Sequence, residues 1–210
     1  MKYRAEIDGL RALAILPVLF HHSGLHLLPG GFAGVDVFFV ISGYLITTIL
    51  LKEMSEGKFS LSSFYERRAR RILPAMAFMI VVSSFLSFFF LDPASMKMLG
   101  YSIVAVSTFM ANIFFFLKLD YFNPSAELNP MLHMWSLAVE EQFYLFFPFI
   151  LLLLTRFKKH IFLALSVIFI ISLLSMFLTS NQSVNFYLIH TRAWELLAGS
   201  ICSVLITKNT

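Results

Sequence analysis

Long apolar stretches separated by short polar or charged patches run through this chain, and each stretch is close to the length that crosses a bilayer as a helix. The first extends roughly from Leu10 to Leu28, with Pro17 near its middle, where a missing amide donor predicts a loosened or kinked helix. Gly30-Gly31 makes a turn, and further runs cover Ala33 to Leu51, Ile72 to Leu91, Leu99 to Leu117, Met134 to Leu154, Ile161 to Leu178 and Ala193 to Ile206. A spanning helix needs about 20 mostly apolar residues. The pattern therefore predicts an all-α fold, a polytopic transmembrane bundle of six or seven apolar helices.

The polar patches set an orientation. The segment Lys52 to Arg71, read as a loop, carries Lys52, Lys58, Arg67, Arg68, Arg70 and Arg71, which the positive-inside rule places in the cytoplasm. Counting back two spans puts the N-terminus there too, in agreement with Lys2, Arg4 and Arg11. Asp92-Pro93 is then outside. If Leu99–Leu117 crossed fully, the basic cluster Arg156, Lys158, Lys159, His160 would fall outside as well, against the rule. A re-entrant Leu99–Leu117 segment, with Gly100, Asn112 and several hydroxyl residues, removes the conflict.

Composition agrees with a lipid environment: 59% of residues are hydrophobic, 13% are charged, and the mean hydropathy is +0.81. The net charge of +4 lies in segments between apolar runs, so it points to topology and membrane lipids, and no nucleic acid is expected as a partner. Cys202 stands alone inside an apolar run, which leaves neither a disulfide framework nor a cysteine metal site. Acidic Glu6 and Asp8 and the lack of a small-residue cleavage site make the N-terminus a retained span rather than a secretory signal.

Ionisable residues within apolar runs are the candidates for chemistry, because lipid penalises them unless they face a cavity or a partner. Arg11 and His22 are eleven residues apart, about 16 Å along one helical stripe. An imidazole can accept a hydroxyl proton near neutral pH, as acyl transfer to an alcohol requires; the competing role is an interfacial histidine bonded to a carbonyl. His21 points elsewhere and His26 lies nearer the interface. Asp36 is close enough in sequence to orient His22, or serves as a helix N-terminal carboxylate. Ser42-Gly43 favours close helix packing.

Arg67, Arg68, Arg70 and Arg71 form a guanidinium cluster that suits an anionic nucleotide such as coenzyme A, or anionic head groups. His133, Trp135 and Ser136 precede Glu140-Glu141-Gln142, where one carboxylate can meet a cavity while the other needs a basic partner. Arg192 and Glu195, at i and i+3, predict an internal ion pair. No serine-hydrolase elbow, P-loop, dinucleotide fingerprint or His-Glu-x-x-His motif appears, and no metal site is expected. A secondary transporter or flippase would use the same intramembrane charges along a path, and its mark, broken helices in inverted halves, has only Pro17 to offer. A non-catalytic fragment that scaffolds a partner is a further alternative.

In order along the chain, Asp8-Gly9-Leu10-Arg11 with His22, Gly34-Val35-Asp36-Val37-Phe38-Phe39-Val40-Ile41-Ser42-Gly43-Tyr44, Phe64-Tyr65 with Arg67-Arg68 and Arg70-Arg71-Ile72-Leu73-Pro74, His133-Met134-Trp135-Ser136-Leu137-Ala138-Val139-Glu140-Glu141-Gln142-Phe143-Tyr144, and Thr191-Arg192-Ala193-Trp194-Glu195 resemble the membrane acyltransferase-3 family. The resemblance implies a bacterial inner-membrane enzyme that moves an acyl group from acyl-CoA, with acetyl-CoA as donor, to a hydroxyl of a surface polysaccharide, lipopolysaccharide O-antigen or lipid-linked saccharide. It implies Arg11 and His22 as essential, with His22 the base; Asp36 or Glu140 is expected to set that base in place. The Trp135 and Arg192 segments resemble the subgroup that carries an extracytoplasmic SGNH-type domain, so such a domain is an expected partner. Residues 1–210 would then be a partial transmembrane domain, with no permanently bound cofactor.

Overall fold

The computed structural model describes residues 5–23, 30–118, 128–155 and 160–208. Expectations that fall on Lys2, Arg4, His26, Arg156, Lys158 and Lys159 lie outside these residues, as does the side chain of His22.

The described chain is helical: α1 (Ala5–His22), a 3-10 turn (Gly31–Ala33), α2 (Gly34–Ser55), α3 (Leu61–Phe90), α4 (Pro93–Ser107), α5 (Ala111–Lys118), α6 (Met134–Thr155), α7 (Ile161–Leu178), α8 (Gln182–Tyr187) and α9 (Ile189–Lys208). Four stretches are long and apolar enough to cross a membrane: Gly31–Ser55, Leu61–Phe90, Met134–Thr155 and Ile161–Leu178. Together with the apolar surface they present, these make the chain an integral membrane protein with an all-α bundle.

Two boundaries differ from the sequence expectation. The connection between α2 and α3 is only residues 56–60, so Arg67, Arg68, Arg70 and Arg71 stand on α3 itself rather than in a loop. Arginine is a strong helix former with a long stem, and the helix continues through the charged stretch because those side chains find partners alongside it. The Leu99–Leu117 stretch is not one helix. It breaks at Thr108–Met110, where Phe109 takes a left-handed backbone at φ 55°, and neither the 15-residue α4 nor the 8-residue α5 reaches across a bilayer. The start of α4 is fixed by Asp92, which accepts from the amides of Ala94 (2.9 Å) and Ser95 (3.2 Å), with Pro93 at the first helical position. The Ser95 hydroxyl, followed by these amides, holds the Asp92 carboxyl below its ordinary value.

The helices form two compact units. The first takes in Met1–Glu56, Phe146–Leu178 and His190–Thr210. In it α1 is continuous through Pro17, and its Ala14 and Pro17 carbonyls lie against Gly34 and Gly31, where any Cβ would collide with main chain. The helices α2 and α9 run side by side in the same direction, since Asp36 meets Arg192, Gly43 meets Leu196 and Thr48 meets Ser203. A Cβ on Gly43 would fall on the Leu196 carbonyl, and one on Gly199 on the Val40 carbonyl, so the seam is a reciprocal close approach of small residues. Gly43 therefore has the packing role its sequence position suggested.

The second unit takes in Gly57–Leu145 and Thr179–Ile189. Polar side chains hold its breaks together. The Gln142 amide donates to the Phe109 carbonyl (2.9 Å) and to Asn112 Oδ1 (2.9 Å), and Asn112 donates to the Tyr187 carbonyl (3.1 Å). These bonds occupy carbonyls that the break at Phe109 and the short α8 leave without helical donors. Asn129 donates to Ser102 Oγ (2.7 Å) and accepts from the Met131 amide (2.9 Å).

Candidate functional site

In the first unit the polar centre is Arg192, whose Nη1 donates to Asp36 Oδ1 and Glu195 Oε1, each at 2.7 Å. The expected Arg192–Glu195 pair is present, and Asp36 joins it; the side chain of His22, which Asp36 was expected to orient, lies outside the described residues. Glu195 is buried, with 1% of its side chain exposed, whereas Asp36 is 36% exposed. The group thus reaches from interior to surface. Among the described residues Glu195 Oε2 has no hydrogen-bond partner.

A hydroxyl from α7 shapes the turn that carries this arginine. Ser172 Oγ donates to the His190 carbonyl (2.7 Å) and accepts from the Trp194 amide (3.0 Å), so it stands between two groups four residues apart on α9. Those two groups are the ends of one rung of α9, so the hydroxyl ties α7 to α9 at the turn that holds Arg192. Nothing in the sequence singled out Ser172; only the pairing of α7 with α9 reveals it.

On α1, Arg11 makes a 3.4 Å contact with Asp8, and its Nε is buried without a partner among the described residues. Backbone helix extends to His22, which keeps Arg11 and His22 on the one helix the spacing predicted. His21 packs edge-on against Phe32, with ring centroids 5.9 Å apart.

In the second unit the four arginines do not form one cradle. Arg70 pairs with Glu66 (2.8 Å) and is 78% exposed, and Arg67 is exposed. Arg68 lies over the Tyr144 ring, 4.3 Å from its centroid. Arg68 and Arg71, one turn apart, also act electrostatically on Glu141. Tyr65 donates to the Leu145 carbonyl (2.7 Å), and the Tyr144 hydroxyl donates to Glu140 Oε1 (2.5 Å). Glu140 is buried, and Glu141 Oε1 has no hydrogen-bond partner among the described residues.

This arrangement corrects one expectation. The basic stretch was expected in a cytoplasmic loop, but contacts with Tyr144 and Leu145 bring Arg68 beside the Glu140–Glu141 pair of α6. The helix start at Leu61 accounts for it, since it lifts the arginines two to three turns into α3. Of the upstream motif residues, Trp135 is buried against Phe186 (4.3 Å) and Tyr187 (5.8 Å), and Ser136 Oγ donates to the carbonyl of His133. Trp135 and Ser136 therefore shape the entry into α6, and the His133 side chain is exposed. The described residues contain no cluster of three or more groups fit to hold a metal ion.

Known proteins share this chain's pattern. A family described as an acyltransferase domain matches residues 4–208. An O-acetyltransferase, OatA, of Staphylococcus aureus (strain NCTC 8325 / PS 47) is 38% identical over 214 residues, covering 97% of this chain and 35% of that protein. The peptidoglycan O-acetyltransferase OatA of Listeria monocytogenes serovar 1/2a is 40% identical over 207 residues, covering 94% of this chain and 33% of that protein. The chain thus spans about a third of the length of these relatives. No solved structure matches. With the family's residues laid along nearly its whole length, the chain belongs to the membrane acyltransferase-3 family.

Proposed function

We propose that this chain is the membrane part of an O-acetyltransferase that draws an acetyl group from acetyl-CoA and delivers it to a hydroxyl of a cell-wall glycan. The observation that carries the donor side is the grouping of Arg68 and Arg71 on one face of α3 beside α6, where two guanidinium groups can meet a nucleotide phosphate. The acceptor follows the relatives: the printed activity of the Listeria protein favours peptidoglycan over lipopolysaccharide O-antigen.

His22 is the base. It takes the proton of the acceptor hydroxyl as that oxygen bonds to the acyl carbon; the carbon–sulfur bond breaks, and the thiolate leaves as coenzyme A after protonation. Asp36, on the helix packed beside α1, is the carboxylate that orients it from the same unit, Arg11 marks the same helix as His22, and Arg192 with Glu195 holds Asp36 in place. The membrane is the bacterial cytoplasmic membrane with the N-terminus inside; where an extracytoplasmic SGNH-type domain takes part, on this chain's own gene product or separate, the hydroxyl acylated at His22 is a carrier from which that domain passes the acetyl group to the glycan.

Wall-glycan acetylation in a null strain complemented with residues 1–210, with a full-length relative and with His22→Ala versions of both, tests this. The expected outcome is loss of acetylation with His22→Ala in whichever form is active, the variant remaining membrane-inserted. Retained acetylation removes His22 from the chemistry. Movement of a lipid-linked saccharide without acetyl transfer would favour a flippase.

A further inference from the structure

Tyr144 is buried at 3% exposure in the second unit, and its two ends do different things. Its hydroxyl donates to Glu140 Oε1 at 2.5 Å, one turn back on α6. Its ring face carries the guanidinium of Arg68, from α3, at 4.3 Å. The next residue, Leu145, accepts the Tyr65 hydroxyl at 2.7 Å, which fixes the register of α3 against α6 at this point. One side chain thus fastens a buried carboxylate and a cation of the other helix to one spot.

The chemistry of the two attachments is separable. A cation over an aromatic face is held without using its N–H donors, and among the described residues no hydrogen bond engages those of Arg68, whereas two donors of Arg70 go to Glu66. The phenol occupies one carboxylate oxygen of Glu140 and sets the direction of the other. We propose that Tyr144 is a positioning residue that presents Arg68, with its donors uncommitted, to the phosphate of the acyl donor while fixing the rotamer of Glu140. This rests on the reading of Arg68 as part of the donor site.

The test uses acetyl-CoA binding by calorimetry to the nanodisc-held chain, together with infrared spectra in which the Glu140 carboxyl band is assigned by its loss in Glu140→Gln. Arg68→Ala and Tyr144→Leu are expected to weaken acetyl-CoA binding by a similar factor, about tenfold, the scale of a desolvated cation–π contact. Tyr144→Phe, which keeps the ring, is expected to weaken binding by less than about threefold on the same scale while shifting the Glu140 band. Wild-type affinity in Tyr144→Leu beside a loss in Arg68→Ala would overturn the proposal and leave the donor site standing. An unmoved Glu140 band in Tyr144→Phe, a variant that folds by thermal melting, overturns it equally. Wild-type affinity in Arg68→Ala overturns the donor-site reading, and this proposal with it.

Discussion

The two units are held by opposite means. In the first, α2 and α9 approach until main chain meets main chain at Gly43 and Gly199, and hydroxyls such as Thr48 and Ser203 bond directly across the seam. In the second, the helices are broken, and amide side chains reach from Gln142 and Asn112 to carbonyls the breaks leave open. Close approach makes a rigid frame that tolerates no added atoms. Side-chain bridging makes room for irregular backbone inside an apolar setting, and its cost falls on whichever amide is removed.

The largest expected effect tests the charged end of the rigid seam. Arg192→Ala leaves Glu195 buried without its cation, a loss of about 3–5 kcal/mol by unfolding in detergent, and Glu195→Gln added to it is expected to recover much of that. Failure of the second change to help would mean that Arg192 stabilises through packing alone. Gly43→Ala is next, at about 1–3 kcal/mol, because the clashing atoms are Leu196 main chain, which can move only if the helices part. A neutral Gly43→Ala would make the seam no stiffer than the rest of the fold. Of similar size but local in reach is Gln142→Leu, which orphans the Phe109 carbonyl for about 1–3 kcal/mol; protection of the amides around residues 108–112 in hydrogen exchange is expected to fall locally, while that of α2 and α9 stays.

The sequence disclosed the helical class, the Arg192–Glu195 pair and the packing role of Gly43, because each follows from spacing on one helix or from residue size. It misplaced the arginines because a charged stretch beside an apolar run reads as a loop, while the partners that keep it helical, Tyr144 and Glu141, lie some 70 residues away. Charge parity led to the expectation of a re-entrant Leu99–Leu117 segment; it did not disclose the break at residues 108–110, where Gln142 from α6 fills the open Phe109 carbonyl. Ser172 and Tyr144 were illegible, since an ordinary serine or tyrosine gains its meaning from a neighbour brought up by the fold.

The 30 residues of α3 measure about 45 Å against a hydrocarbon layer of about 30 Å. Its apolar part, Ile72 to Phe90, measures about 28 Å and matches that layer, so the surplus is the polar first third of the helix, which holds Glu66 and the four arginines. Tyr65 and Arg68 fasten this surplus to α6. One unbroken rod thus carries both the span and its charged handle, and any movement of the one is felt by the other.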